Sequence, residues 1–298
     1  MNILFTGCSS YIAKYVITRL LRDGEIILGV SRTNPNIIHG NFSWISHDLS
    51  ISPYFPERNI DIIIHMAGQS LLNKSAEEYL KSNILVTENV VKIARKLAPR
   101  LIIYTSSIKV YGTVRVSEVT ENTDIINPGL YGLTKYFCEN ILQENIQTIS
   151  LRMPGVIGVG SHGWIDGVYK TLKKSASLSI SNMLYNHLIH VRDIYGFIRH
   201  IFDEQYDTSD SFIICADELT TSLEVVELMR KELYSNSLID CQEKDNENKY
   251  VLSNKKLLTK YRPLTVKASI YLYLQEMSLG FDKYSHGKLE AAEKTVLA

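Results

Sequence analysis

Ser107 and the run Tyr131-Gly132-Leu133-Thr134-Lys135 carry the residue types and spacing for proton exchange at a carbinol or carbonyl oxygen. On a helix, Tyr131 and Lys135 are one turn apart and share a face. An ammonium beside a phenol favours the phenolate, so a tyrosine with an ordinary pKa of about 10 is expected to exchange its proton closer to neutrality, as acid or base. Ser107 supplies a second hydroxyl to the same oxygen. Taken alone the pair is a weak motif, because a Tyr and a Lys so spaced on an amphipathic helix usually serve packing and solvation. The elements that position the pair strengthen the signal.

Residues 2–6, NILFT, read as a short buried strand, and Gly7-Cys8-Ser9-Ser10 as a turn into a helix from Tyr11 to Arg22. This is the strand-turn-helix context of a dinucleotide site, with pyrophosphate held at the positive end of the helix. Gly7 makes the tight turn, while Ser10 and Ala13 stand where further glycines would ease close approach. Apolar strands follow at 26–30, 42–45 and 60–64, the last running into His65-Met66-Ala67-Gly68. A helix over 76–97, a strand over 101–105, the helix of Tyr131 and Lys135 to about 144 and a strand over 148–151 complete the pattern. Near-continuous apolar strands alternating with amphipathic helices predict an α/β, Rossmann-like doubly wound parallel sheet, with ligands at the carboxyl ends of its strands. Gly7, His65 to Gly68, Ser106 and Ser107 all fall at such ends. Ser106 reads equally as a ligand contact and as a hydroxyl satisfying a strand-end amide.

In this order the segments resemble the extended short-chain dehydrogenase/reductases of the nucleotide-sugar epimerase, dehydratase and reductase group, over almost the whole chain. TGCSSYIA at 6–13 resembles the TGxxGxxG cofactor loop, departing from glycine at Ser10 and Ala13, and HMAG at 65–68 resembles the segment lining the cofactor after the fourth strand. Asn83 in NILVTENV matches a structural Asn, SSIKVYG at 106–112 the serine segment, and YGLTK at 131–135 the Tyr and Lys. LRMPGVIG at 151–158 resembles the turn into the substrate region, and HVRD at 190–193 the returning HVxD segment. The resemblance implies cofactor contacts from Gly7, Ser9, Ser10, Tyr11, Ile12, Asp48, Leu49, Met66, Ala67, Gly68, Asn83, Thr105, Tyr131, Lys135 and Pro154. It implies catalysis by Ser107, Tyr131 and Lys135, with Lys135 also holding the nicotinamide ribose. It further implies an NAD(P)-binding domain over 1–155 to which 187–215 returns, and a smaller substrate-binding lobe over most of 156–298.

Ser107 is followed by Ile108 and Lys109 rather than by an acid, which argues against a 4,6-dehydratase. The end of the second strand, Ser31-Arg32, offers a hydroxyl and a cation to a 2′-phosphate, so NADP(H) is expected in preference to NAD(H). Arg32 also reads as a solvated loop residue. NADPH exchanges with solvent and suits net reduction, so the expected activity is reduction of a 4-keto-6-deoxy nucleotide sugar. An NAD-dependent nucleotide-sugar 4-epimerase is the alternative, and a non-catalytic nucleotide sensor or scaffold a third, against which Ser107, Tyr131 and Lys135 weigh. Candidate contacts to the anionic nucleotide sugar are His162, Arg192 and Arg262, each also readable as structural or solvent-facing. Family epimerases often place an Asn at the turn where this chain has Gly155.

The 298 residues suffice for a large core, and 32 basic against 32 acidic residues with no basic block give no support to nucleic-acid binding. No run reaches the roughly 18 apolar residues of a membrane span, and the first residues enter a strand directly, so a cytoplasmic location without membrane insertion is expected. Cys8, Cys138, Cys215 and Cys241 lack metal-ligand spacing and read as reduced thiols, with no metal site. Asp240 to Tyr250 reads as a charged surface loop and the last 18 or so residues as a polar tail. A homodimer built on the helices over 76–97 and 134–144 is expected from the resemblance.

Overall fold

A computed structural model describes residues 1–70, 74–204, 206, 208–242 and 250–279. The chain divides into two units, the first comprising Met1–Thr113, Glu121–Met153 and Tyr195–Ile213, the second Val114–Thr120, Pro154–Ile194 and Ile214–Ala298.

The first unit is built on seven parallel strands: β1 (Asn2–Thr6), β2 (Ile26–Ser31), β3 (Phe42–Ser46), β4 (Ile62–His65), β5 (Leu101–Ser107), β6 (Thr148–Met153) and β7 (Asp210–Ile213). Their order is β7-β6-β5-β4-β1-β2-β3. The sheet is the doubly wound one expected, and the reversal of strand order beside β1 opens a ligand crevice at its carboxyl edge. In register, Thr6 pairs with both Val30 and His65, and His65 with Tyr104. Leu4, Ile63, Ile102 and Tyr104 pack under Val90, Val91, Ala94 and Cys138, each buried. Helix α1 (Tyr11–Arg22) starts at Ser10, whose Oγ accepts from Ala13 N at 3.1 Å. Such a cap stabilises a helix by about 1 kcal/mol.

The expected continuous helix over 76–97 is interrupted. A single turn, α2 (Ala76–Tyr79), carries a capping box between Ser75 and Glu78, six residues (Leu80–Leu85) follow in π-helical geometry, and α3 (Val86–Leu97) completes the run. The π segment contains Asn83, which is buried and bonded by its side chain to other parts of the unit rather than to its own helix. Beyond β5, a single 3₁₀ turn (Ile108–Tyr111) leads towards α4 (Leu130–Gln143), the helix of Tyr131 and Lys135.

In the second unit, parallel pairs join Gly155–Ile157 to Leu188–His190 and Glu118–Val119 to Val251–Leu252. Its core sets Ile165, Val168 and Leu172 against Val225, Val226, Met229, Ile270 and Tyr273. The loop expected from Asp240 begins instead as a strand, Ile239–Gln242, paired with Leu178–Ser181. Ile239 packs on the core while Asp240, Cys241 and Gln242 are exposed, so a polar sequence forms an edge strand with a single apolar anchor. Residues 243–249 of that expected loop and the expected tail from 280 lie outside the described residues. Among the described residues no helix is long and apolar enough to cross a membrane, and no cluster of three His, Cys, Asp or Glu side chains is placed to hold a metal.

Candidate active site

Gly7 has φ +72°, and a Cβ there would lie 2.6 Å from Ala67 N, so the turn after β1 closes onto the chain after β4 only with glycine. Beside this contact a cavity of about 490 Å³ follows the carboxyl edge. It is lined by ten of the residues expected to bind cofactor: Gly7, Ser9, Ser10, Ser31, Arg32, Asp48, Leu49, Met66, Ala67 and Gly68. A glycine turn, a helix N-terminus and a cavity of this size fit the adenosine and pyrophosphate end of a dinucleotide. Tyr11, Ile12, Asn83, Thr105, Tyr131 and Lys135 belong to the same unit but do not line the cavity.

Ser10 uses its oxygen to cap α1, and its own hydroxyl hydrogen remains available to phosphate. Ser31 is more constrained. Its hydroxyl donates to Thr33 O at 2.7 Å, while its oxygen receives Trp44 Nε1–H at 3.0 Å and stands 3.0 Å from Cys8 Sγ. The single hydroxyl hydrogen is thus committed within the protein. Arg32 is exposed on the cavity wall. Partial burial opposes ionisation of Asp48, but hydrogen bonds from Ser50 and the charges of Arg32 and Lys81 outweigh it and hold the carboxyl below its ordinary value. Sequence reasoning missed Thr33, His47, Ser50, Gln69, Glu78, Lys81 and Ser82 in the lining. His47 and Ser50 flank Asp48-Leu49 and were within reach of the same argument, whereas Lys81 and Ser82 line the cavity from a π segment that no helical periodicity reveals.

Ser107 is the last residue of β5 and caps the 3₁₀ turn, its Oγ accepting from Lys109 N at 3.2 Å. With that lone pair filled, its hydrogen is left to turn towards the Tyr131 phenol, whose ionised form it favours. The approach depends on Gly132, where a Cβ would fall 2.0 Å from Lys109 O, so the first turn of α4 rests directly on the turn after β5. Burial pushes the Tyr131 phenol up to about 12, the Ser107 hydroxyl opposes this in part, and the neighbouring Tyr79 ring, 6.0 Å away, adds to the rise. The lowering expected from Lys135 is therefore not what the structure displays. The Lys135 ammonium is turned into the sheet, donating to Thr105 O at 2.7 Å and Tyr104 Oη at 3.1 Å, and desolvation lowers its pKa to about 8.

Asn83 Oδ1 accepts from Gln69 N at 2.7 Å and its Nδ2 donates to Thr134 Oγ1 at 2.9 Å, tying the chain after β4 to α4. Thr105 Oγ1 donates to His65 O at 3.3 Å. Pro154, His162, Arg192 and Arg262 belong to the second unit. There Arg192 pairs with Asp193 at 3.3 Å and Arg262 with Asp217 at 2.9 Å, while His162 is exposed.

The chain is 26% identical over 182 residues to the UDP-glucose 4-epimerase of Halalkalibacterium halodurans, covering 55% of this chain and 54% of that protein. It is 27% identical over 161 residues to the UDP-glucose 4-epimerase of Bacillus subtilis, covering 48% of each. It thus spans about half the length of these curated relatives. Its fold is similar to the crystal structure of the UDP-glucuronic acid 4-epimerase of Bacillus cereus in complex with NAD, with a TM-score of 0.81, 16% identity, and 95% of this chain and 100% of that chain covered. These similarities overturn the expected NADPH-dependent reduction of a 4-keto-6-deoxy nucleotide sugar. That expectation rested on Ser31-Arg32, and the Ser31 hydroxyl is engaged by Thr33, Trp44 and Cys8. The model of the NAD dependent epimerase/dehydratase family matches residues 3–215, a span that takes in the parallel sheet, the glycine turn and Ser107, Tyr131 and Lys135, and this chain belongs to that family.

Proposed function

We propose that the protein is an NAD-dependent 4-epimerase of a UDP-linked sugar. The observation that carries this reading is the Ser107 hydroxyl acting on the Tyr131 phenol, with Lys135 one turn away, in a chain whose curated relatives are UDP-glucose 4-epimerases. The phenolate form of Tyr131 takes the proton of the sugar's 4-hydroxyl, and the phenol so formed returns it to the same oxygen after the ring has presented its other face. Ser107 donates to that oxygen and steadies the charge that develops on it. Lys135, one turn from Tyr131, would help to hold the cofactor and would contribute a fixed positive charge there. The chemistry that the dinucleotide brings when bound is reversible hydride exchange at C4.

NAD rather than NADP is favoured because Ser31 has no hydroxyl hydrogen left for a 2′-phosphate and the Asp48 carboxylate, held ionised, lines the same cavity. Arg32→Glu should therefore change NADH affinity by less than about threefold, and fluorescence titration should find unaltered protein binding NADH more tightly than NADPH. Strong NADPH preference, lost in the variant, would reverse the cofactor assignment. Exposed Leu80, Leu130 and Phe137, 53%, 52% and 49% accessible on helical segments of the first unit, support a homodimer. A cytoplasmic location goes with this reading.

The deciding experiment incubates purified protein with NAD and, separately, UDP-glucose, UDP-galactose, UDP-xylose and UDP-glucuronic acid, following products by proton NMR in D₂O. The expected result is interconversion of one C4 pair without deuterium at C4 and without net accumulation of NADH. Stoichiometric NADH formation, or folded protein that converts none of the four, would reject the reading.

A further inference from the structure

The Lys135 ammonium is wholly buried, and two of its three N–H donors are fixed by strand β5. The acceptor of one, Tyr104 Oη, is a core tyrosine 1% exposed with no place in the proton exchange proposed above. Tyr104 and Cys138 are close neighbours in this core: burial raises the pKa of both, and the thiol's proximity raises the phenol's further. Thr87 Oγ1 donates to the same sulfur at 3.2 Å. Because the Thr87 hydrogen is used there, His65 Nε2, 3.0 Å from Thr87 Oγ1, carries the imidazole proton. His65 Nδ1 then accepts from Thr6 Oγ1 at 2.8 Å, and Thr6 Oγ1 accepts from Ala67 N at 3.3 Å. This run of bonds reaches Cys138 from the end of β1 that precedes Gly7.

We infer that Tyr104 is a positioning residue for Lys135: its oxygen, 3.1 Å from the ammonium, presents lone pairs to it, holding it charged and leaving its third N–H for the site. On the cavity side stands Gly68, where a Cβ would lie 3.8 Å from Lys135 Nζ. A phenylalanine at 104 would preserve the ring, whose centroid is 4.7 Å from Nζ, and the packing around it, but not the acceptor. The other titratable groups around the ammonium are His65 from β4 and Tyr131, Cys138 and Glu139 from α4. His65 is kept neutral, its pKa pushed down to about 3 by burial and by Lys135 itself, and Glu139 is paired with Arg152 at 2.8 Å. Tyr104 is thus the neutral group whose removal changes the charge equilibrium of Lys135 without changing the surrounding charges.

The inference rests on the reading that Lys135 serves as an ammonium, and its test requires neither substrate nor turnover, so it can fail while epimerisation is observed, and the reverse. Full-length protein labelled with ¹³C at lysine Cε is titrated by NMR, with Lys135 assigned by the signal missing from Lys135→Met. In unaltered protein Lys135 should titrate near pH 8. In Tyr104→Phe it should titrate about one pH unit or more lower, the shift expected when a buried charge loses a hydrogen-bond acceptor. Titration of Lys135 at the same pH in folded Tyr104→Phe as in unaltered protein would overturn the inference. If Tyr104→Phe does not fold, an unshifted Lys135 in folded Tyr104→Leu overturns it instead.

Discussion

At the residue scale, the three side chains to which the proposed epimerisation assigns one proton exchange differ in environment. Tyr131 is half-buried, and the loss of water around its phenol raises its pKa against the influence of Ser107. Tyr131→Phe keeps the ring and its contact with Tyr79 but removes the phenolic proton. Turnover should fall roughly 10²- to 10⁴-fold with the far-ultraviolet circular dichroism unchanged. A smaller loss in single-turnover measurements at saturating cofactor would transfer the role to another group. Lys135 has the opposite character. Its pKa falls from 10.5 to about 8 on folding because burial penalises the charge. The unfolded chain therefore binds more protons than the native one between those values, and stability rises with pH across that window. The penalty is present in full below pH 8 and fades towards 10.5. Lys135→Met should consequently unfold at a higher temperature at pH 7, by the equivalent of about 1–3 kcal/mol, with the gain shrinking as pH approaches 10. Calorimetry at pH 7 and pH 10 checks this, and a variant less stable at both would show that the bonds to Tyr104 and Thr105 outweigh desolvation.

At the scale of elements, the position of α4 follows from a glycine and that of the cavity-lining π segment from an asparagine. Gly132 allows the backbone of α4 to rest on Lys109 O, which brings Tyr131 to Ser107. Gly132→Ala introduces a methyl into a backbone carbonyl, so α4 must shift by an ångström or so. Displacements of about this size lower catalysis by roughly 10²-fold, and the expected result is a comparable fall in kcat with the melting temperature reduced by several degrees. Unchanged kcat would mean that the site tolerates the displacement. Asn83 acts from the π segment, tying Gln69 to Thr134 through its two ends. A π turn turns that amide inward and, in the same stretch, brings Lys81 and Ser82 to the cavity.

At the scale of the whole molecule, Leu80, Leu130 and Phe137 present apolar side chains to solvent from helical segments of the first unit. Burying them between two copies gives the dimer proposed above. Phe137→Asp should therefore sediment as a monomer under conditions where unaltered protein sediments as a dimer, with circular dichroism unchanged. A monomer in both would leave these side chains without a partner of their own kind. Comparing kcat of the two forms then shows whether self-association matters to the site, since α4 carries both Phe137 and Tyr131.

The sequence by itself determined the parallel sheet, the glycine turn after β1 and the order of the Ser, Tyr and Lys segments, because these depend on local patterns. Apolar runs of strand length, a turn residue ahead of a helix and a four-residue spacing on one helical face remain legible without knowledge of what lies across the fold. Tertiary structure decided what those side chains meet. The Ser31 hydroxyl is engaged by Trp44, Thr33 and Cys8, and Lys135 faces Tyr104 and Thr105 from the neighbouring strand. Ser31 was read as a phosphate ligand and Lys135 as the group that lowers the tyrosine, both from residue type and local position alone. Hydrogen-bond capacity and desolvation are set by groups that in these cases lie up to about thirty residues away in the chain and only ångströms away in space, and they alone determined which hydrogens and charges remained for chemistry.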